Sequence, residues 1–189
     1  MYERKTNCFD KSLTSKQQQL FNTLRRLWVE HVMWTRSFIV STAFNLGDLE
    51  YVTKRLLRNP ADFTELLKPL YGASAAARFQ ELLTEHLSIA GQLVNAAKAG
   101  NTAAADELRK KWYANADDMA AFLSEMNPFW CKKAWQTMLN DHLKMTENEA
   151  EQILSGKNEA SISEFDAIQK QALEMGDYMA NGIIRQFRL

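Results

Sequence analysis

An excess of charge of either sign is missing from this 189-residue chain: 23 Lys plus Arg stand against 23 Asp plus Glu. Nucleic acids and acidic membrane surfaces are ordinarily met with a basic excess, so the balance argues against both as partners. Cysteine is scarce as well. Cys8 in a polar leader and Cys131 beside Trp130 do not make a disulfide framework. Seven glycines and three prolines are few for a loop-rich or all-β protein. The most apolar stretch, Phe38 to Phe44, falls far short of the ~20 residues that span a bilayer. The opening Met1-Tyr2-Glu3-Arg4-Lys5 lacks the charged-then-apolar order of a signal peptide. These absences predict a reducing, cytoplasmic setting with no membrane and no nucleic acid as partner. A chain of this length buries roughly 70% of its unfolded surface, enough for a core without metal or disulfide staples.

What is present is helical periodicity. Leu20, Leu24, Leu27, Trp28, Trp34 and Phe38 recur at helical spacing from Ser15 to Asn45, with Thr14 or Ser15 as the cap. Asp48 is placed to cap the next helix, and Asn59-Pro60 breaks and restarts the chain, since proline suits a first helical turn. Gly72, Gly100 and Gly156 mark turns. Further helices follow from about Ala73 to Ala99, from Asn101 or Thr102 to about Met126, beyond Pro128, and from about Ser163 to Phe187. Thr146-Glu147-Asn148-Glu149 reads as a capping box, which predicts a bend there. Strand alternation is lacking. The expectation is an all-α helical bundle with about six main helices, residues 16–189 forming one domain behind a polar leader of residues 1–15.

An internal repeat organises these helices. Each of the three histidines follows an acid: Glu30-His31, Glu85-His86 and Asp141-His142. Each is then followed by a glycine turn and a second helix. Ala116-Asp117-Asp118-Met119-Ala120 matches Gly176-Asp177-Tyr178-Met179-Ala180, and Pro60-Ala61-Asp62-Phe63 falls at the same offset. The chain therefore reads as three tandem antiparallel hairpins, about 16–71, 72–127 and 128–189. The intervals from His31 to Asp62, His86 to Asp117 and His142 to Asp177 are 31, 31 and 35 residues, the last lengthened by a longer turn. His86 stands 14 residues before Gly100 and Asp117 stands 17 after it, roughly 21 and 25 Å along antiparallel helices. Each aspartate is thus expected to face a core-side histidine across its own hairpin.

Two chemistries fit three such pairs. A buried imidazole needs a partner for its N–H, and a carboxylate that supplies one also fixes helix register. Alternatively, His31, His86 and His142 converge with Asp62, Asp117 and Asp177 on a divalent metal, zinc, iron or manganese, or on a small polar ligand. Glu30, Glu85 and Asp141, turned about 100° around the helix, reach such a centre from its side or form boundary salt bridges. Metal binding at this layer is the first expectation. A non-catalytic structural or protein-interaction bundle is the second, and an enzyme, if there is one here, is metal-dependent. Glu-x-x-His is missing, because Trp28, Leu83 and Leu139 precede the histidines by three, and no His-Glu-x-x-His occurs. Cys131 reads as a core thiol, Arg109-Lys110-Lys111 as a short solvated patch, and Gly91, Gly176 and Gly182 as sites of close helix packing. Trp28, Trp34, Trp112 and Trp135 fall at core spacing, whereas Trp130 is placed to line a pocket mouth or a partner surface. A homo-oligomer is left open.

Glu30-His31-Val32-Met33-Trp34 resembles the Glu-His-x-x-Trp helix of some uncharacterised bacterial proteins with ferritin-like helical bundles. The resemblance implies a metal-binding bundle with ligands among Glu30, His31, Glu85, His86, Asp141 and His142. The three-histidine bundles related to damage-inducible bacterial proteins are also similar in outline, but carry two histidines four apart on one helix, a pair this chain lacks.

Overall fold

The structure, a computed structural model, describes residues 13–189. Most of the polar leader, Cys8 included, lies outside the described residues. Six helices follow one another: α1 (Ser15–Ala43), α2 (Leu49–Leu56), α3 (Asn59–Lys98), α4 (Thr102–Met126), α5 (Lys132–Leu154) and α6 (Asn158–Phe187). Among the described residues there is no strand. No helix among them is long and apolar enough to cross a membrane.

Local chemistry accounts for most of the boundaries. Thr14 and Gln17 form a reciprocal capping box at the start of α1, satisfying two otherwise orphaned backbone donors. Asn101 accepts from the Ala104 backbone to begin α4. Asp48 precedes α2 but makes no side-chain cap; its carboxylate accepts instead from the Ser41 hydroxyl at 2.8 Å. Within α3 the helix breaks at Gly72, whose φ of 83° is costly for any side chain with a Cβ. The chain does not restart at Thr146. Helix α5 is continuous through it: the Thr146 hydroxyl donates to the His142 carbonyl instead of capping a new start, and Glu149 is buried against Arg36 of α1.

Helices α1, α3, α4, α5 and α6 pack in that order as a closed ring, α6 returning to α1, while short α2 lies against α1 and α3. The ring encloses a large apolar core that includes Leu24, Trp28, Phe63, Phe79, Trp135 and Met179. A smaller cluster of Phe38, Ile39, Leu56, Leu87, Val94 and Ile153 fills part of the end nearest α2. Close approach explains two of the glycines. A Cβ on Gly176 would stand 3.2 Å from the Arg25 backbone, and one on Gly182 only 1.9 Å from the Trp130 indole nitrogen. Trp130 is accordingly in the core, 1% exposed, and not at a surface mouth. Cys131, expected in the core, is exposed, because it immediately precedes α5, where its backbone N–H donates to the Tyr178 hydroxyl.

Candidate functional site

Each histidine sits on the inner face of its helix, His31 on α1, His86 on α3 and His142 on α5, and each is 3% exposed. The imidazoles do converge: the His31 and His142 rings lie 5.7 Å apart. Their partners, however, are amides. Nδ1 of His31 is 3.2 Å from Asn59 Oδ1, that of His86 is 2.9 Å from Asn115 Oδ1, and that of His142 is 3.1 Å from Gln171 Oε1.

The other end of each amide closes a loop. Asn59 Nδ2 donates to the Leu27 carbonyl at 3.0 Å, Asn115 Nδ2 to Leu82 at 3.2 Å, and Gln171 Nε2 to Met138 at 2.6 Å. Each acceptor belongs to the residue four before the histidine, so the amide uses the second lone pair of a carbonyl already engaged within the helix. This fixes the tautomer. With the amide nitrogen committed to a carbonyl, its oxygen faces the ring, and Nδ1 must carry the hydrogen that it donates. Burial then holds the rings neutral. It pushes His31 and His86 down to about 3 and His142 to about 4, with the other imidazoles adding to the effect at His31. The hydrogen bonds to Asn59, Asn115 and Gln171 oppose it only in part.

None of the six expected carboxylates bonds an imidazole, and only Glu85 reaches one of the amides. Asp62 pairs with Arg58 and Arg55 at 3.2 and 3.8 Å. Asp177 forms a two-pronged pair with Arg25 at 2.5 and 2.7 Å, and Asp117 accepts from Gln136. Glu30 bridges Arg26 and Arg55, which hold its carboxyl below the usual range against the effect of burial. Glu85 is exposed and accepts a bond from Asn115 Nδ2 at 3.2 Å; Asp141 is exposed. Among the described residues no group of three or more His, Cys, Asp and Glu side chains is disposed to hold a metal ion.

The metal-centre expectation is therefore corrected, for His31, His86 and His142 as for Asp62, Asp117, Asp177, Glu30, Glu85 and Asp141. Zinc, iron and manganese lose their proposed ligand set, as does a small polar ligand at that layer. The ferritin-like character implied by Glu30 to Trp34 fails on the same ground, since the buried polar groups make packing contacts. The physical reason is solvation. A carboxylate facing a neutral imidazole in the core lacks a counter-charge, whereas an amide satisfies the ring and is itself satisfied without burying charge.

One charged pair does enter the interior. Glu149 is 1% exposed and meets Arg36, whose guanidinium also donates to the Ser161 carbonyl and lies 5.2 Å from the centre of the Phe165 ring. Burial pushes Glu149 up to about 7, with Arg36 pulling the other way. Two members of the basic run are paired on the surface, Arg109 with Asp106 and Glu147, and Lys110 with Glu107.

No family model matches the chain, and neither do curated proteins or solved structures.

Proposed function

We propose that the chain is a non-catalytic scaffold, one domain of three tandem antiparallel hairpins (about 16–71, 72–127 and 128–189), whose imidazole–amide pairs fix how each hairpin closes. The observation that carries this reading is the threefold recurrence of one contact set: ring Nδ1 to amide oxygen, amide nitrogen to the carbonyl four residues before the ring. A one-residue slip of either helix breaks both bonds at once and leaves buried donors unsatisfied, at about 1–3 kcal/mol each. The imidazoles suit this task and not proton transfer near neutrality, because a ring with a pKa of about 3 or 4 is a weak base there.

The test is a double-mutant cycle on His86→Ala and Asn115→Ala, read by urea unfolding, with elemental analysis of untagged protein. A coupling energy of about 1–3 kcal/mol between the two sites, in protein without stoichiometric metal, is the expected result. One metal per chain, lost in a folded His86→Ala variant, overturns the reading.

A further inference from the structure

Exposed apolar side chains are unevenly spread over the bundle. Of the ten large hydrophobic residues exposed among the described residues, four, Phe44, Leu46, Tyr51 and Leu57, fall within residues 44–57, just after α1 and along α2. Tyr51 is 72% and Phe44 54% exposed. Tyr51 and Leu57 stand on the face of α2 turned away from buried Val52 and Leu56. Such a concentration marks an interaction surface.

The same end of the bundle is concave. A half-open cavity of about 600 Å³ lies among α1 to α5, with Phe38, Leu87, Leu93 and Val94 on its walls. It adjoins the apolar segment. Leu56 of α2 lines it, as does Ala97, and the next residue, Lys98, donates to the Asn45 side chain at 2.6 Å. A protrusion and a hollow therefore stand side by side, and apolar walls inside a polar rim are the anatomy of a protein interface.

Charge selects the occupant. In the cavity lining Arg109 is tied to Glu147 at 2.7 Å, but Lys144 and Glu151 have no ion pair among the described residues. Both are exposed on α5, seven residues and so about 10 Å apart on one face. The outer face of α2 carries the converse set. Glu50 and Lys54 are exposed there, likewise without an ion pair among the described residues, about 6 Å apart. On α5 the base comes first; on α2 the acid does. Laid parallel to α5, α2 of a second copy sets Glu50 against Lys144 and Lys54 against Glu151, long side chains spanning the difference in spacing. Each set is balanced, so neither favours an acidic lipid surface or nucleic acid.

We infer that the chain forms a twofold dimer in which residues 44–57 of each copy seat on the half-open cavity of the other, with Tyr51 as the apolar anchor. A protrusion and a hollow on one chain meet their mates twice across a twofold axis, and the assembly closes at two copies. This goes beyond the scaffold role and does not depend on the imidazole layer.

Sedimentation equilibrium of the full-length chain, from about 1 to about 200 µM, is the test. A monomer–dimer equilibrium with a dissociation constant in the micromolar range is expected. Tyr51→Asp on one surface and Ala97→Glu on the other, both at exposed positions, should each weaken dimerisation at least about tenfold. Leu173→Asp, on the exposed side of α6, should leave it unchanged. Lys144→Glu should weaken it about three- to tenfold, since each lost pair occurs twice, and adding Glu50→Lys should restore it. Circular dichroism melts confirm that each variant folds. A chain still monomeric at the highest concentration overturns the proposal. So does a dimer that Tyr51→Asp and Ala97→Glu weaken no more than Leu173→Asp does. Species larger than a dimer overturn the twofold closure, and a Lys144→Glu loss that Glu50→Lys fails to rescue overturns the pairing of α2 with α5.

Discussion

The two ends of the bundle, on either side of the imidazole layer, are packed on opposite principles. Towards the N-terminal side of each histidine, rings interlock: Trp28 stacks on Trp135 at 6.4 Å and meets Phe63 edge-on at 5.4 Å, and Trp135 in turn meets Trp130 and Tyr178 edge-on. Towards the C-terminal side the corresponding positions are small. Ala90, Gly91, Ala97 and Ala150 line a half-open cavity of about 600 Å³ together with Phe38, Leu93 and Trp112, and the smaller apolar cluster is not large enough to fill it. Both ends share the same helices, so helix propensity does not distinguish them. Side-chain volume does. The aromatic end supplies cohesion, while the open end gives up packing contacts that a uniformly filled core would retain.

The sharpest way to break this contrast is to empty the filled end. Trp135 is fully buried, and Trp135→Ala is expected to cost about 3–5 kcal/mol in urea unfolding, the range for large-to-small aromatic changes in tight cores. A loss below about 1 kcal/mol would mean that this end relaxes as freely as the other, and the comparison would fail.

Acid probes the boundary between the ends. The imidazoles have folded-state values near 3 to 4 and an unfolded value near 6.5. Their neutral burial therefore stabilises the protein fully above pH 6.5, and that stability is lost as pH falls towards 3. Glu149 acts in the opposite sense. Its folded value is raised to about 7 above an unfolded 4.5, so between those limits the folded state holds the extra proton and gains stability as pH falls. Near pH 5 three protons favour unfolding and one opposes it. At 1.36 kcal/mol per proton per pH unit, stability should fall by roughly 3 kcal/mol per unit there. Glu149→Gln should steepen the slope towards three protons. A slope that is flat from pH 7 to 5 in the parent chain would show that the rings are not held neutral.

Much of the architecture was legible because it rests on periodicity. The apolar stripes through Leu24, Leu27 and His31 and through Phe79, Leu82 and His86 placed the histidines on inner faces, and all three are buried. The partners are harder to see, because charged residues stand at similar offsets to the amides. Asp62, Asp117 and Asp177 needed an uneven third interval, whereas the true partners stand 28, 29 and 29 residues after their histidines. That near-constant interval was the available signal. It was obscured because the third copy substitutes Gln171 for asparagine, so the residue type is not repeated even though the hydrogen bonds are. The cavity left no comparable trace, since a void depends on how far helices separate, and small residues such as Ala90 and Gly91 equally suggest close approach. The Arg36–Glu149 pair joins residues 113 apart, and nothing in the local sequence at either end announces the other.

The finest test applies one substitution at both ends. At Gly182 an added methyl would fall 1.9 Å from the Trp130 indole nitrogen, inside a filled and rigid region. Gly182→Ala should therefore destabilise by about 1–3 kcal/mol through overpacking. At Gly91 the same methyl meets the far edge of the Phe38 ring at 3.4 Å beside open volume, so the ring can yield. The helix itself gains, because alanine is favoured over glycine in a helix interior by about 1 kcal/mol. Gly91→Ala should then be neutral or stabilise by up to about 1 kcal/mol. Equal destabilisation at both positions, measured by parallel urea curves, would show that the open end is as tightly constrained as the aromatic one.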